Sequence, residues 1–272
     1  MFPSPALSPQ PALDTPSRPA QVPLLGVPLA LTDYQRTLDW IDSAVAGRHR
    51  AYLCVAATHT VMAAREDAAL RDAVLGAEFT VPDGQPLVWA LNLLGHPLPS
   101  RVYGPTLMWK ACERAARMGT RFYLHGGRHN QGAMALLIHN LRTAHPGLRV
   151  VGGQTQPFRE LSAAEEDALV ANINRARPDV VWVGLGVPRQ ELWMQRMRAR
   201  LEAPVLVGVG AAFDFHAGLV SQAPGWMQAA GLEWLFRLSQ EPRRLWRRYL
   251  RYNPRFVLGF ARQYGRHRLR GR

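Results

Sequence analysis

Between residues 32 and 209 the chain alternates two hydrophobic rhythms. Short apolar runs at 51–58, 78–81, 121–125, 148–152, 179–184 and 204–209 are bounded by polar or glycine positions and read as buried strands. Helical periodicity fills the intervals, over 60–75, 86–94, 105–118, 129–144, 162–175 and 188–200. A further helical period runs through LTDYQRTLDWIDSAVAG, with Thr32 as a candidate N-cap and Gly47 as its end. Strands alternating with helices predict βαβ units, hence an α/β fold whose mainly parallel sheet is covered by helices. In such sheets ligands lie at the carboxyl ends of the strands. That rule selects Thr58, Asp83, Gly126, Gly127, Gly186 to Gln190 and Gly210 to Asp214.

The rhythm changes at Ala223, where aromatic and basic residues interleave in APGWMQAAGLEWLFRLSQEPRRLWRRYLRYNPRF. On a helix over 244–255, Arg244, Arg247, Arg248, Arg251 and Arg255 share one side, while Leu245, Trp246, Tyr249, Leu250 and Tyr252 occupy the other. Pro254 is expected to end or kink this helix, leaving the place of Arg255 open. The opening stretch MFPSPALSPQPALDTPSRPAQVP is rich in proline and lacks the basic start and apolar core of a signal peptide, so it is expected to be a disordered tail. The predicted organisation is a tail over 1–22, a core over 23–222 and a helical basic appendage over 223–272.

Charge sharpens this division. Of the net +13, the segment 237–272 carries +11, from twelve arginines against Glu241, so the body is nearly neutral. Three readings of the basic segment stand side by side: a solvated face over a packed one, a nucleic-acid surface without a recognisable motif, and an interfacial helix meeting anionic headgroups. No run reaches the roughly 18 apolar residues of a membrane span, so any membrane association is expected at the surface. Cys54 and Cys112 sit in apolar segments without metal-ligand or disulfide spacing, which predicts buried thiols in a reducing compartment.

Two glycine-rich turns invite a dinucleotide reading and fail it. In GLGVPR the sixth position is Arg189, and in GVGAAF it is Phe213, where the fingerprint requires glycine. A dehydrogenase is therefore a rival without its motif, and no P-loop motif occurs. What GLGVPRQE offers is a helix N-terminus, with Arg189 and Gln190 as side chains able to reach phosphate or base atoms. Asp83 in VPDGQPLVWA stands where a general base would, although an Asp-Gly pair is also an ordinary turn, and Asp214 is in a comparable position. No Asp-x-Asp and no HExxH occur, and His59, His125 and His216 read as site-lining or structural. No metal site or cofactor is expected, so diphosphate charge falls to arginines and helix N-termini.

Taken in order, VPDGQPLVWA, RVYGPTLMWKACERAARMGTRFYLHGG, RPDVVWVGLGVPRQELW, VGVGAAFDFHAG and APGWMQAAGLEWLFRLSQEPRRLWRRY resemble the WecG/TagA/CpsF family of bacterial glycosyltransferases, over about residues 24–258. The resemblance implies a Rossmann-like core and an inverting, metal-independent transfer from a UDP-sugar to a polyprenyl-diphosphate-linked saccharide in cell-surface polysaccharide synthesis. It implies a membrane-associating appendage that helps complete the site, with the protein cytoplasmic and peripheral on the inner face of the plasma membrane. Asp83 falls on the family's proposed base, Gln190 on a substrate-contacting glutamine and Thr58 on a strand-end threonine. His59, Arg101, Gly104, Gly126, Gly127, Gly186, Arg189 and Asp214 are further candidates for substrate binding. Arg237, Arg243, Arg244, Arg247 and Arg248 are candidates for the acceptor diphosphate and membrane.

The pattern also departs from the family. Thr58, His59 and Thr60 stand where many relatives have Thr-x-Asn, and Thr106 stands where many have aspartate, positions that bear on the donor sugar. The VPDGQPLVWA and RVYGP forms resemble the exopolysaccharide branch, and UDP-N-acetylmannosamine and UDP-glucose are the expected donors. Homo-oligomer formation is left open, no nucleic acid is expected as a partner, and a basic nucleic-acid-associated α/β protein is the alternative.

Overall fold

The computed structural model describes residues 16–128 and 130–270. In chain order the elements are β1 (Gln21–Leu24), β2 (Val27–Ala30), α1 (Tyr34–Ala46), β3 (Ala51–Ala56), α2 (Thr58–Glu66), α3 (Ala68–Leu75), β4 (Phe79–Pro82), α4 (Gln85–Leu93), α5 (Gly104–Met118) and β5 (Arg121–Gly126). They continue with α6 (Gln131–Ala144), β6 (Arg149–Gln154), α7 (Ala163–Ala176), β7 (Val180–Gly184), α8 (Arg189–Met197), β8 (Val205–Gly208), α9 (Ala212–His216), α10 (Gly225–Ala229), α11 (Glu233–Gln240) and α12 (Pro242–Arg270).

Eight strands form one sheet in the order β1-β2-β4-β3-β8-β7-β5-β6. Only the β1–β2 hairpin is antiparallel; the other described pairings are parallel, as the βαβ rhythm requires. The period of two decides which face each side chain serves. In β3, Leu53 and Val55 join α1, α5 and α6 on one face, while Tyr52 and Cys54 meet Trp193, Met194 and Met197 of α8 on the other. Both cysteines are free and buried. Strands buried on both faces explain why their sequences are nearly continuous apolar runs.

Four expectations need correction. Residues 16–22 do not belong to a loose tail: the indole of Trp40 donates to the Pro16 carbonyl, Arg18 pairs with Glu78, and β1 begins at Gln21; residues 1–15 lie outside the described residues. The cap of α1 is Asp33, whose carboxylate accepts from the Arg36 amide at 2.9 Å, and not Thr32. The helix expected over 60–75 is two, divided at Asp67, whose side chain caps α3 through the Leu70 amide. Finally, α12 runs through Pro254 to Arg270, so the proline does not end it.

The last of these corrections reshapes the appendage. Helix α12 lies against α2 and the β1–β2 hairpin, with Tyr252, Phe256, Phe260 and Tyr264 packed on a cluster that includes Leu24, Leu25, Val61 and Leu91. Gln263 fastens it by accepting from the Leu25 amide (2.8 Å) and donating to the Pro23 carbonyl (2.9 Å). Arg251 and Arg255 both pair with Glu66 of α2, so they are spent on docking and do not belong to an open arginine face.

Candidate active site

Because β4, β3, β8, β7 and β5 are parallel neighbours, the turns after them open on one edge of the sheet. At about 4.8 Å per strand they span roughly 19 Å from the β4 turn to the β5 turn. The segment from α11 to the middle of α12 covers one end of this edge and encloses a cavity of about 340 Å³. Six expected residues meet there: Thr58 and His59 at the start of α2, Asp83 after β4, Arg101 before α5, and Arg237 and Arg248 from the appendage.

Asp83 is half-buried, with protein around its carboxylate and the cavity before it. Its amide is tied to the Ala56 carbonyl of β3 at 2.8 Å, and its Oδ1 accepts from the Gly104 amide at 3.2 Å. Burial pushes the carboxyl up to about 6, with Glu233 adding to the rise, while Arg101, the Gly104 amide and Arg237 hold it back. The result is a carboxylate that is ionised at neutral pH yet basic enough to take a proton.

Arg101 is the hinge of the electrostatics. It donates to Glu233 of α11 at 2.5 Å and to Gln228 at 3.1 Å, and its guanidinium lies over the Tyr103 ring. Burial opposes its charge, but Asp83 and Glu233 outweigh that and hold it firmly protonated. Nothing in the sequence singled out Glu233, whose partner lies 132 positions earlier.

Arg237 and Arg248 bring two more guanidinium groups, and the buried Nε of each finds no hydrogen-bond partner. Burial depresses Arg248, though it has no basis for losing its charge at neutral pH. Burial first, then the charges of Arg248 and Arg237, hold the His59 imidazole well below its usual range, so it is neutral. Trp234 and Tyr249 meet edge to face at 5.5 Å on the cavity wall. A pocket with a half-buried carboxylate and two partly unpartnered guanidiniums suits a hydroxyl nucleophile attached to a phosphorylated group.

The other expected residues lie elsewhere. Gly126 (φ +107°) and Gly127 (φ +79°) take backbone conformations that favour glycine, and a Cβ on Gly126 would stand 2.9 Å from the Gly184 carbonyl carbon. With Asp214, which pairs with Arg128 at 3.1 Å, they border a shallow depression next to Phe213. Gly186 (φ +74°) donates its amide to Gln190 Oε1 at 3.2 Å. Arg189 reaches the Pro157 carbonyl at 2.9 Å and lies over Phe158.

Gln190, expected to face substrate, is instead buried, and its Nε2 donates to Glu191 Oε1 at 2.9 Å. Glu191 is fully buried, and burial pushes its carboxyl up to about 7. Arg243, Arg244 and Arg247 do not line the cavity: Arg243 is exposed, Arg244 pairs with Glu241, and Arg247 rests on Trp246. Among the described residues no three His, Cys, Asp or Glu side chains gather as a metal site, and no helix is long and apolar enough to cross a membrane.

Comparison with known proteins bears on this geometry. Residues 22–270 match the model of the Glycosyl transferase WecG/TagA/CpsF family. An N-acetylglucosaminyldiphosphoundecaprenol N-acetyl-beta-D-mannosaminyltransferase of Bacillus spizizenii is 32% identical over 187 residues, 68% of this chain and 69% of the relative. The protein of the same description from Bacillus subtilis is 29% identical over 196 residues, 72% of this chain and 73% of the relative.

Proposed function

The chain is a glycosyltransferase of the WecG/TagA/CpsF family, and on that premise we propose that it moves N-acetylmannosamine from its UDP donor onto a hydroxyl of N-acetylglucosamine carried on a polyprenyl diphosphate. The two Bacillus relatives support the sugar and the acceptor by their descriptions. The observation that carries the site assignment is the shared cavity of Asp83, Arg237 and Arg248. The dehydrogenase and nucleic-acid readings are left without support by the family membership.

The donor lies across the strand ends, with its diphosphate toward the glycine turns at Gly126, Gly127 and Gly186. The positive ends of the helices that follow these turns, α6 and α8, offset the charge that develops on departing UDP. The acceptor enters between the core and the appendage, with its diphosphate on Arg237 and Arg248 and its reacting hydroxyl at Asp83. Asp83 takes the hydroxyl proton as the oxygen bonds to the anomeric carbon. The bond from that carbon to UDP breaks at the same time, and UDP leaves with the electron pair. Attack opposite the leaving group inverts the configuration. Chemistry of this kind asks no metal of the protein, because arginines and helix ends meet the phosphates. Since the acceptor is a membrane lipid, the enzyme works as a peripheral protein at the membrane surface.

The test is UDP release from a panel of UDP-sugars (N-acetylmannosamine, glucose, N-acetylglucosamine, galactose) with a short polyprenyl-diphosphate-N-acetylglucosamine acceptor. Acceptor-dependent release from UDP-N-acetylmannosamine without added metal is expected. Release from UDP-glucose in its place would move the donor assignment, and the departures at His59, Thr60 and Thr106 would be where to look.

A further inference from the structure

A cavity of about 710 Å³ lies away from the strand ends. It lies where the β1–β2 turn, α2, α3 and the later turns of α12 meet. Four arginines line it, Arg65 and Arg71 from the core and Arg262 and Arg266 from α12, together with His267. Leu25, Val27 and Ala64 supply an apolar, buried part of the wall. Gly259 keeps the gap between helix and hairpin narrow: a Cβ there would sit 3.4 Å from Leu25 and 3.9 Å from the Arg65 guanidinium.

The four arginines form no ion pair with any acid among the described residues, whereas two to three turns before Arg262 Arg251 and Arg255 are both matched by Glu66. All four are exposed, so solvent screens their mutual repulsion, but with no acid to offset them they leave the cavity a site of positive potential that favours an anion. Guanidinium forks suit phosphate oxygens in particular. The flank of α12 indicates what kind of phosphate. Leu258 and Leu269 are exposed, and with Arg262 they fall on one side of the helix at spacings of four and seven. An apolar edge beside a cationic cavity suits a molecule with both acyl chain and phosphate better than a soluble anion.

We propose that this cavity binds the phosphate headgroup of an anionic membrane lipid, held half by the core and half by α12. The proposal goes beyond sugar transfer and does not depend on which residue is the base. Asn253, Phe256 and Val257 of the same helix line the active-site cavity. They lie about 8–14 Å along its axis from Arg262, at 1.5 Å per residue. A headgroup seated at the far end therefore clamps the helix that walls the active site.

The experiment is calorimetric titration of the full chain with monomeric dihexanoyl-phosphatidylglycerol, dihexanoyl-phosphatidylcholine and inorganic phosphate, for wild type, Arg71→Gln, Arg262→Gln/Arg266→Gln and Arg268→Gln. Arg268 is exposed on α12 and does not line the cavity, so it reports bulk charge. Phosphatidylglycerol is expected to bind wild type and Arg268→Gln alike, with affinity lowered about fivefold in Arg71→Gln and about 30-fold in the double variant. Phosphatidylcholine and inorganic phosphate should bind at least tenfold more weakly. Because these arginines have no acid partner among the described residues, each variant should keep its ligand-free unfolding midpoint, which separates lost binding from lost fold. An Arg71→Gln protein that binds as wild type would reduce the site to a basic tail and overturn the proposal. So would an Arg268→Gln loss equal to that of the double variant, or inorganic phosphate binding as tightly as the lipid. None of these readouts requires turnover, so a failure here is distinct from a failure of the transfer reaction.

Discussion

Arg101 Nη2 stands 2.5 Å from Glu233 Oε2, and this ion pair joins the segment before α5 to appendage helix α11. Both side chains are nearly buried, at 12% and 10% exposure. Removing one partner of such a pair leaves an uncompensated buried charge and costs about 3–5 kcal/mol, although replacing both can be close to neutral. The pair also sits beside Asp83, where Arg101 lowers and Glu233 raises the carboxyl. One contact thus both closes the cavity and sets its acidity.

Asp83→Asn keeps the shape of the cavity and removes the proposed base. Turnover on the lipid acceptor should fall by about 10²–10⁴-fold, the range for a general base, with UDP-sugar affinity unchanged in equilibrium binding. Turnover within tenfold of wild type would end the assignment.

The acid limb of kcat/KM should rise with pH and level above about 6, since the carboxylate is the active form. Glu233→Gln removes a charge that raises the Asp83 carboxyl and should move this limb to lower pH. Arg101→Gln removes one that lowers it and should move the limb up. Profiles of the two variants that shift in the same direction would contradict the electrostatic account.

Arg237→Gln and Arg248→Gln should each raise KM for a diphosphate-bearing acceptor by about 10–100-fold, from the loss of a hydrogen bond between charged groups, about 1.5–3 kcal/mol. A control acceptor with a neutral alkyl group in place of the diphosphate should show no such difference. Equal effects on both acceptors would place the arginines in fold maintenance.

Glu191 predicts a pH dependence of stability. Its carboxyl moves from an ordinary 4.5 to about 7 on folding, so between those values the folded protein holds one more proton than the unfolded chain. Its stabilising effect is complete below 4.5 and disappears as pH rises through 7. In urea unfolding at pH 5 and pH 8, wild type should lose on the order of 3 kcal/mol more than Glu191→Gln. Parallel behaviour of the two would show that Glu191 is already ionised at pH 5.

The strand-end rule found Thr58, Asp83 and the glycine turns because a parallel sheet brings local β-to-α junctions to one edge whatever the distant contacts. The β1–β2 hairpin escaped notice because Pro23 and Pro28 make its sequence read like a tail; proline is tolerated in this marginal hairpin at the sheet edge. The arginine stripe misled for a different reason. A helical projection ranks residues on one helix and carries no information about Glu66, nearly two hundred positions earlier, so it puts Arg251 on an open face and leaves Arg255 undecided. The place of Gln190 at a helix start likewise aims it at substrate, and only the packing of α8 on the sheet buries it together with Glu191.

The bond from the Leu25 amide to Gln263 spans 238 positions. During synthesis the hairpin has therefore left the ribosome long before its partner exists, by roughly ten seconds or more at 5–20 residues per second. The sheet and its glycine turns can form in that interval while Arg237, Arg248 and the wall they belong to are still to come. Competence for the proposed lipid acceptor is in this sense acquired late, and a nascent core meeting the membrane early would carry Asp83 uncovered.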